Sequence, residues 1–70
     1  MKKFFDVHVF QSRKNGFSVP VAMEGEGEFS DEEVINKAVE NDQIDSDDAD
    51  HVDYVEEIDE FDFESMGGKL

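Results

Sequence analysis

Seventy residues carrying 20 carboxylates against 6 cationic side chains, a formal net charge of −14, allow one small domain whose field repels nucleic acid and anionic membranes and attracts basic protein surfaces. There is no cysteine and the two histidines lie far apart in sequence, which excludes a disulfide framework and a Cys/His zinc site. The core therefore rests on apolar packing alone, and a chain this short buries only about 60% of the surface it exposes when unfolded.

The acidity is uneven. Lys2, Lys3, Arg13 and Lys14 fall in the first 23 residues with Asp6 as their one carboxylate, whereas between residues 24 and 64 Lys37 alone faces the other 19. The opening MKKFFDVHVF couples two lysines to an apolar run, but Asp6 and His8 interrupt it and no small-residue cleavage pattern follows, so it does not read as a signal peptide. No stretch approaches the roughly 18 uninterrupted apolar residues of a membrane span, and the expected location is the cytoplasm.

Phe5, Val7 and Val9 alternate with Asp6 and His8, the period-2 signature of a half-buried strand, and Phe17, Val19, Val21 and Met23 repeat it. Asn15-Gly16 between them signals a hairpin turn. A two-residue Asn-Gly loop would split the two apolar sets between opposite faces. A three-residue loop Lys14-Asn15-Gly16, with Gly16 left-handed, keeps them together by pairing Val9 with Val21, Val7 with Met23 and Gln11 with Val19. Pro20 lacks a ladder donor, so the second strand is expected at the edge and the first in the centre.

Phe29-Ser30-Asp31-Glu32-Glu33-Val34 holds a capping box between Ser30 and Glu33 and a hydrophobic staple from Phe29 to Val34. Val34, Ile35, Ala38 and Val39 make the apolar stripe of the helix that follows, which should fade near Asn41 to Ile44. Residues 45–51 read as a solvated loop. In the last third, Val52, Tyr54 and Ile58 share one parity and Phe61 and Phe63 the other, so a third strand needs a bulge or break near Glu56 to Glu60. A spacing of three at Val52, Val55, Ile58 and Phe61 also fits a short amphipathic helix. The fold class expected is α+β: a ββαβ chain with a three-stranded antiparallel sheet in order 2-1-3, one helix on one face, a single acidic domain over residues 1–64 and a frayed tail over 65–70.

Asp45, Asp47, Asp53 and Glu56 match positions 1, 3, 9 and 12 of an EF-hand loop, but Ala49 at position 5 offers no oxygen and Asp50 stands where the turn needs glycine. No metal or cofactor site is expected. His8 and His51 have no oxyanion site or positioned nucleophile beside them, and catalytic carboxylate pairs need a dry pocket, so the chain is not expected to be an enzyme. Phe5, Phe17 and Phe29 fit the core, while Phe4, Phe10, Phe61 and Phe63 either cover the second face of the sheet or stand exposed. Tyr54, Phe61 and Phe63 are candidate hot-spot aromatics. Asp45, Asp47, Asp48, Asp50, Asp53, Glu56, Glu57, Asp59, Glu60 and Asp62 are candidate partner-binding acids, set where a partner's groove would receive phosphates; alternate strand residues lie about 6.6 Å apart. The same charges also suit a merely solubilising face.

The segments KKFFDVHV, FSDEEVINKAVENDQID and DYVEEIDEFDF, in that order, resemble the small DpnD/PcfM-like proteins of bacterial mobile elements. In size and charge the chain is also similar to phage-encoded nucleic-acid mimics, including anti-CRISPR, anti-restriction and uracil-DNA glycosylase inhibitors. With the acidic run, these similarities lead to the expectation of a phage or mobile-element inhibitor of a nucleic-acid-binding protein that acts by DNA mimicry and does not itself bind nucleic acid. The alternatives are an acidic adaptor that binds a basic protein without competing with DNA, and a divalent-cation-binding domain.

Overall fold

The computed structural model describes residues 2–11 and 15–68. Two ten-residue strands, β1 (Lys2–Gln11) and β2 (Asn15–Glu24), lead into helix α1 (Asp31–Glu40), the single-turn helix α2 (Ser46–Ala49), strand β3 (Val52–Ile58) and helix α3 (Glu60–Ser65). The sheet is antiparallel in order β2-β1-β3, so the Pro20 strand is an edge and β1 is central, as expected. Among the described residues no helix is long and apolar enough to cross a membrane.

The hairpin register differs from the expected one. Phe5 pairs with Val21, Val7 with Val19 and Val9 with Phe17, four residues away from the pairing that a Lys14-Asn15-Gly16 turn would give. Asn15 and Gly16 already belong to β2, and Gly16 is not left-handed. The connecting residues 12–14, Lys14 among them, lie outside the described residues. The reason for the shift lies in the side chains. The observed register sets every inward apolar residue of β1 against one of β2, whereas the expected one would have set Gln11 against Val19 and Phe5 against Gly25. Both registers share a parity, so the inward face was assigned correctly.

On that inward face Phe5, Val7, Val9 and Val21 pack with Val34 and Ala38 of α1 and with Ile44 to form the core. α1 starts as the sequence indicates: the Glu33 amide donates to Ser30 Oγ at 3.2 Å and the Ser30 amide to Glu33 Oε1 at 3.1 Å. Phe29 packs on this core, its ring edge-on to Phe5 with centroids 6.3 Å apart. α1 ends in a Schellman turn, in which the Gln43 amide bonds to the Ala38 carbonyl and the Asp42 amide to that of Val39, with Asp42 left-handed at φ 61°. The turn delivers Ile44 into the core and brings the Gln43 side-chain amide to the Pro20 carbonyl, which occupies an outward-facing acceptor of β2.

In the second half one expectation needs correction and one is met in part. Residues 45–51 are not a plain loop, because Asp45 caps a turn of helix: the Asp48 amide donates to Asp45 Oδ1 at 3.0 Å while the Asp48 carboxylate accepts from the Asp45 amide. The third strand is present and breaks within the expected Glu56–Glu60 stretch, but a helix, not more strand, follows the break. β3 pairs Val55 with Val7 and Tyr54 with His8, then shifts register so that Val52 faces Val9, leaving Asp53 as the extra residue of a bulge. The bulge brings Val52 and Val55 to the core face together.

The strand then breaks at Asp59, whose side chain accepts from the Asp62 amide at 2.8 Å and starts α3. This helix folds onto the second face of the sheet, where Phe63 and Phe4 are buried against each other with ring centroids 4.7 Å apart. Helices therefore pack on both faces instead of one. Ser65 closes α3, and the amides of Met66, Gly67 and Gly68 bond back to Asp62, Glu64 and Phe63. The boundary expected between Glu64 and Ser65 thus falls inside a helix end.

Candidate functional site

The ten candidate acids occupy the consecutive elements α2, β3 and α3. Asp45, Asp47, Asp48 and Asp50 lie in or next to α2, Asp53, Glu56 and Glu57 on β3, and Asp59, Glu60 and Asp62 at the start of α3. All are exposed except Asp48, which is half-buried. Among the described residues the only ion pair joins Lys37 and Glu40 at 3.4 Å, so none of the ten pairs with a described cation. Three of them have a structural task as well, since Asp45, Asp48 and Asp59 hold helix starts.

The acids do not form the flat row that alternate strand residues would give. Asp53 stands in the bulge, and Glu56 and Glu57 point to opposite faces of β3, opposite Asp6 and Phe5 respectively. They follow one another along the chain, from the α2 turn through the β3 edge strand to the start of α3. The EF-hand pattern is likewise spread over separate elements, with Asp45 and Asp47 at α2 and Glu56 in mid-strand. Among the described residues no three His, Cys, Asp or Glu side chains converge where they could hold a metal ion.

The candidate aromatics separate. Tyr54 is 46% and Phe61 74% exposed, but Phe63 is 2% exposed and serves the fold as the anchor of α3. An additional exposed ring is Phe10, at 53%. It belongs to a group that the sequence reading did not assemble, on the half of the second sheet face that α3 leaves uncovered. There the His8 imidazole stacks on Tyr54 at 5.0 Å and 7°, its Nδ1 hydrogen-bonds with Ser18 Oγ at 3.0 Å, and its other nitrogen lies so close to Gly16 that a Cβ there would meet it at 2.5 Å. Asp6 and Glu56, cross-strand partners, lie next along the same face. Among the described residues Asp6 Oδ1 is the only buried side-chain oxygen or nitrogen without a hydrogen-bond partner.

The Tyr54 hydroxyl is pushed above the ordinary tyrosine value by loss of hydration and by the charges of Asp6, Glu56 and Asp53. The signal for this group is present in the sequence as the shared parity of Phe4, Asp6, His8 and Phe10. What the sequence does not show is the β1–β3 register, which pairs His8 with Tyr54 and Asp6 with Glu56. His51, in contrast, turns its ring back to the Asp47 carbonyl, with Nδ1 at 2.8 Å, and stays with α2. Compared with family models, with curated proteins and with solved structures, the chain has no match in any of the three.

Proposed function

We propose that this chain binds a basic protein through the acidic stretch of α2, β3 and α3, and that in its most concrete form it is a phage or mobile-element inhibitor, acting in the cytoplasm, that fills the groove of a nucleic-acid-binding protein by mimicking phosphates, as anti-CRISPR and anti-restriction proteins do. The observation that carries this reading is that the carboxylates of residues 45–62 sit on capped, hydrogen-bonded elements, all but Asp48 exposed, and pair with no cation among the described residues. Charges held in place meet a partner without the ordering cost that a loose acidic tail would incur. The DpnD/PcfM-like pattern of the sequence agrees with a mobile-element source. Nothing in this reading asks for catalysis, a metal or direct contact with nucleic acid.

A second reading, an acidic adaptor that grips a basic protein without displacing DNA, is favoured by the division of Glu56 and Glu57 between the two sheet faces, since a single groove would engage one face better than both. Competition separates the two. A mimic inhibits DNA binding by restriction or CRISPR effectors, loses potency as salt rises, and fails when Asp53, Glu57 and Glu60 are converted together to Asn and Gln. Binding of an effector that leaves its DNA in place supports the adaptor and defeats the mimic.

A further inference from the structure

Beyond the reach of α3 the second face of the sheet is open, and it presents two exposed rings among carboxylates. Phe10 and Tyr54 are the rings, and Asp6 and Glu56 the carboxylates, all on the same side of β1 and β3. We propose that this open half-face docks an arginine-bearing segment of a basic protein, one guanidinium lying on the Tyr54 ring and reaching the carboxylate of Glu56. The proposal rests on the basic-partner reading above and adds where the partner is held and by which side chain.

Three observations converge on a planar cation. Tyr54 is fixed before any ligand arrives, because one face of its ring is covered by a His8 imidazole that Ser18 and the backbone of Gly16 hold in place. The ring's remaining surface is a rigid platform of the kind on which a guanidinium stacks. Next to it on the same face Glu56 is exposed, and its carboxylate is open to a forked donor that stacks on the ring. Finally, the charge of the surroundings selects the occupant. With Asp53 as a third nearby carboxylate and −14 on the whole chain, a nucleic acid that could stack on the same rings would be repelled. Arginine satisfies both the rings and the carboxylates. Lysine, a compact point charge, satisfies only the latter.

The test uses the intact chain, in which Tyr54 is the single tyrosine and tryptophan is absent, so tyrosine fluorescence reports this face directly. Nona-arginine and nona-lysine peptides are titrated in parallel, with amide and imidazole chemical shifts recorded. The expected result is about fivefold tighter binding of the arginine peptide, shifts centred on His8, Ser18 and Tyr54, and loss of the preference in Glu56→Gln and in Tyr54→Leu. Equal affinities, or shifts confined to the acids of residues 45–62, overturn the docking site and leave the acidic-stretch reading standing. Absence of binding by either peptide overturns both. A single-stranded oligonucleotide that quenches Tyr54 also overturns the proposal, by showing that the rings serve a base and not a cation. The comparison of the two peptides on the unaltered chain decides the matter even if a variant fails to fold.

Discussion

Tyr54 shows how one residue can report on its surroundings. Its hydroxyl titrates above 10.0, pushed there by partial desolvation and by the Asp6, Glu56 and Asp53 charges. The folded chain thus holds the phenolic proton more tightly than the unfolded chain. Ionisation of the unfolded state begins first as pH rises past 10.0, and stability is lost from there through the higher folded value. Ultraviolet titration of the single tyrosine should therefore give a midpoint above that of free tyrosine, lowered by Asp6→Asn and by Glu56→Gln; a midpoint unmoved by either would mean that the carboxylates lie farther from the ring than the structure has them. A second residue, Asp42, works against its own chemistry. It occupies the left-handed position of the Schellman turn that ends α1, where a Cβ costs energy, whereas the matching turn after α3 has Gly67 at φ 90°. Asp42→Gly should raise the free energy of unfolding by about 0.5–1 kcal/mol, measured by urea denaturation, even though glycine adds freedom to the unfolded chain.

At the level of elements, local chemistry and the strand order are legible in the sequence and the pairing register is not. α1 could be read from Ser30 to Val39 because its capping box, staple and stripe are contiguous in sequence. The faces of β1 and β2 were legible from parity, but a shift by an even number of residues preserves parity, so alternation could not fix which pairs face each other. α2 and α3 were overlooked for a related reason: their start signals are aspartates, Asp45 and Asp59, within a stretch where acids are everywhere. A cap cannot be recognised by its charge when every neighbour carries the same one. For α3 the decisive residue is Phe63, the one side chain of that helix that is buried. Its truncation should separate the two sides of the sheet. Phe63→Ala is expected to cost about 3 kcal/mol and to expose the amides of residues 60–68 to hydrogen exchange, while those of α1 stay protected until global unfolding. Simultaneous loss of protection in both helices would instead make α3 part of the main core.

Taken whole, the molecule tolerates a large unbalanced charge, and salt should therefore stabilise it. With one ion pair among the described residues and −14 overall, screening removes far more repulsion than attraction. The melting temperature followed by circular dichroism should rise with added sodium chloride, and a fall would point to attractive pairs that outweigh the repulsion. The plugging of the Pro20 strand has a further outcome. A three-stranded sheet has two free margins, and aggregation into endless ribbons requires both of them. Here one margin is interrupted at its midpoint by a proline and a glutamine cap, and the other is guarded by like charges that would have to meet their own copies. If those charges were silenced, two molecules could zip together along β3, and the assembly would stop at that pair for want of a second sticky border.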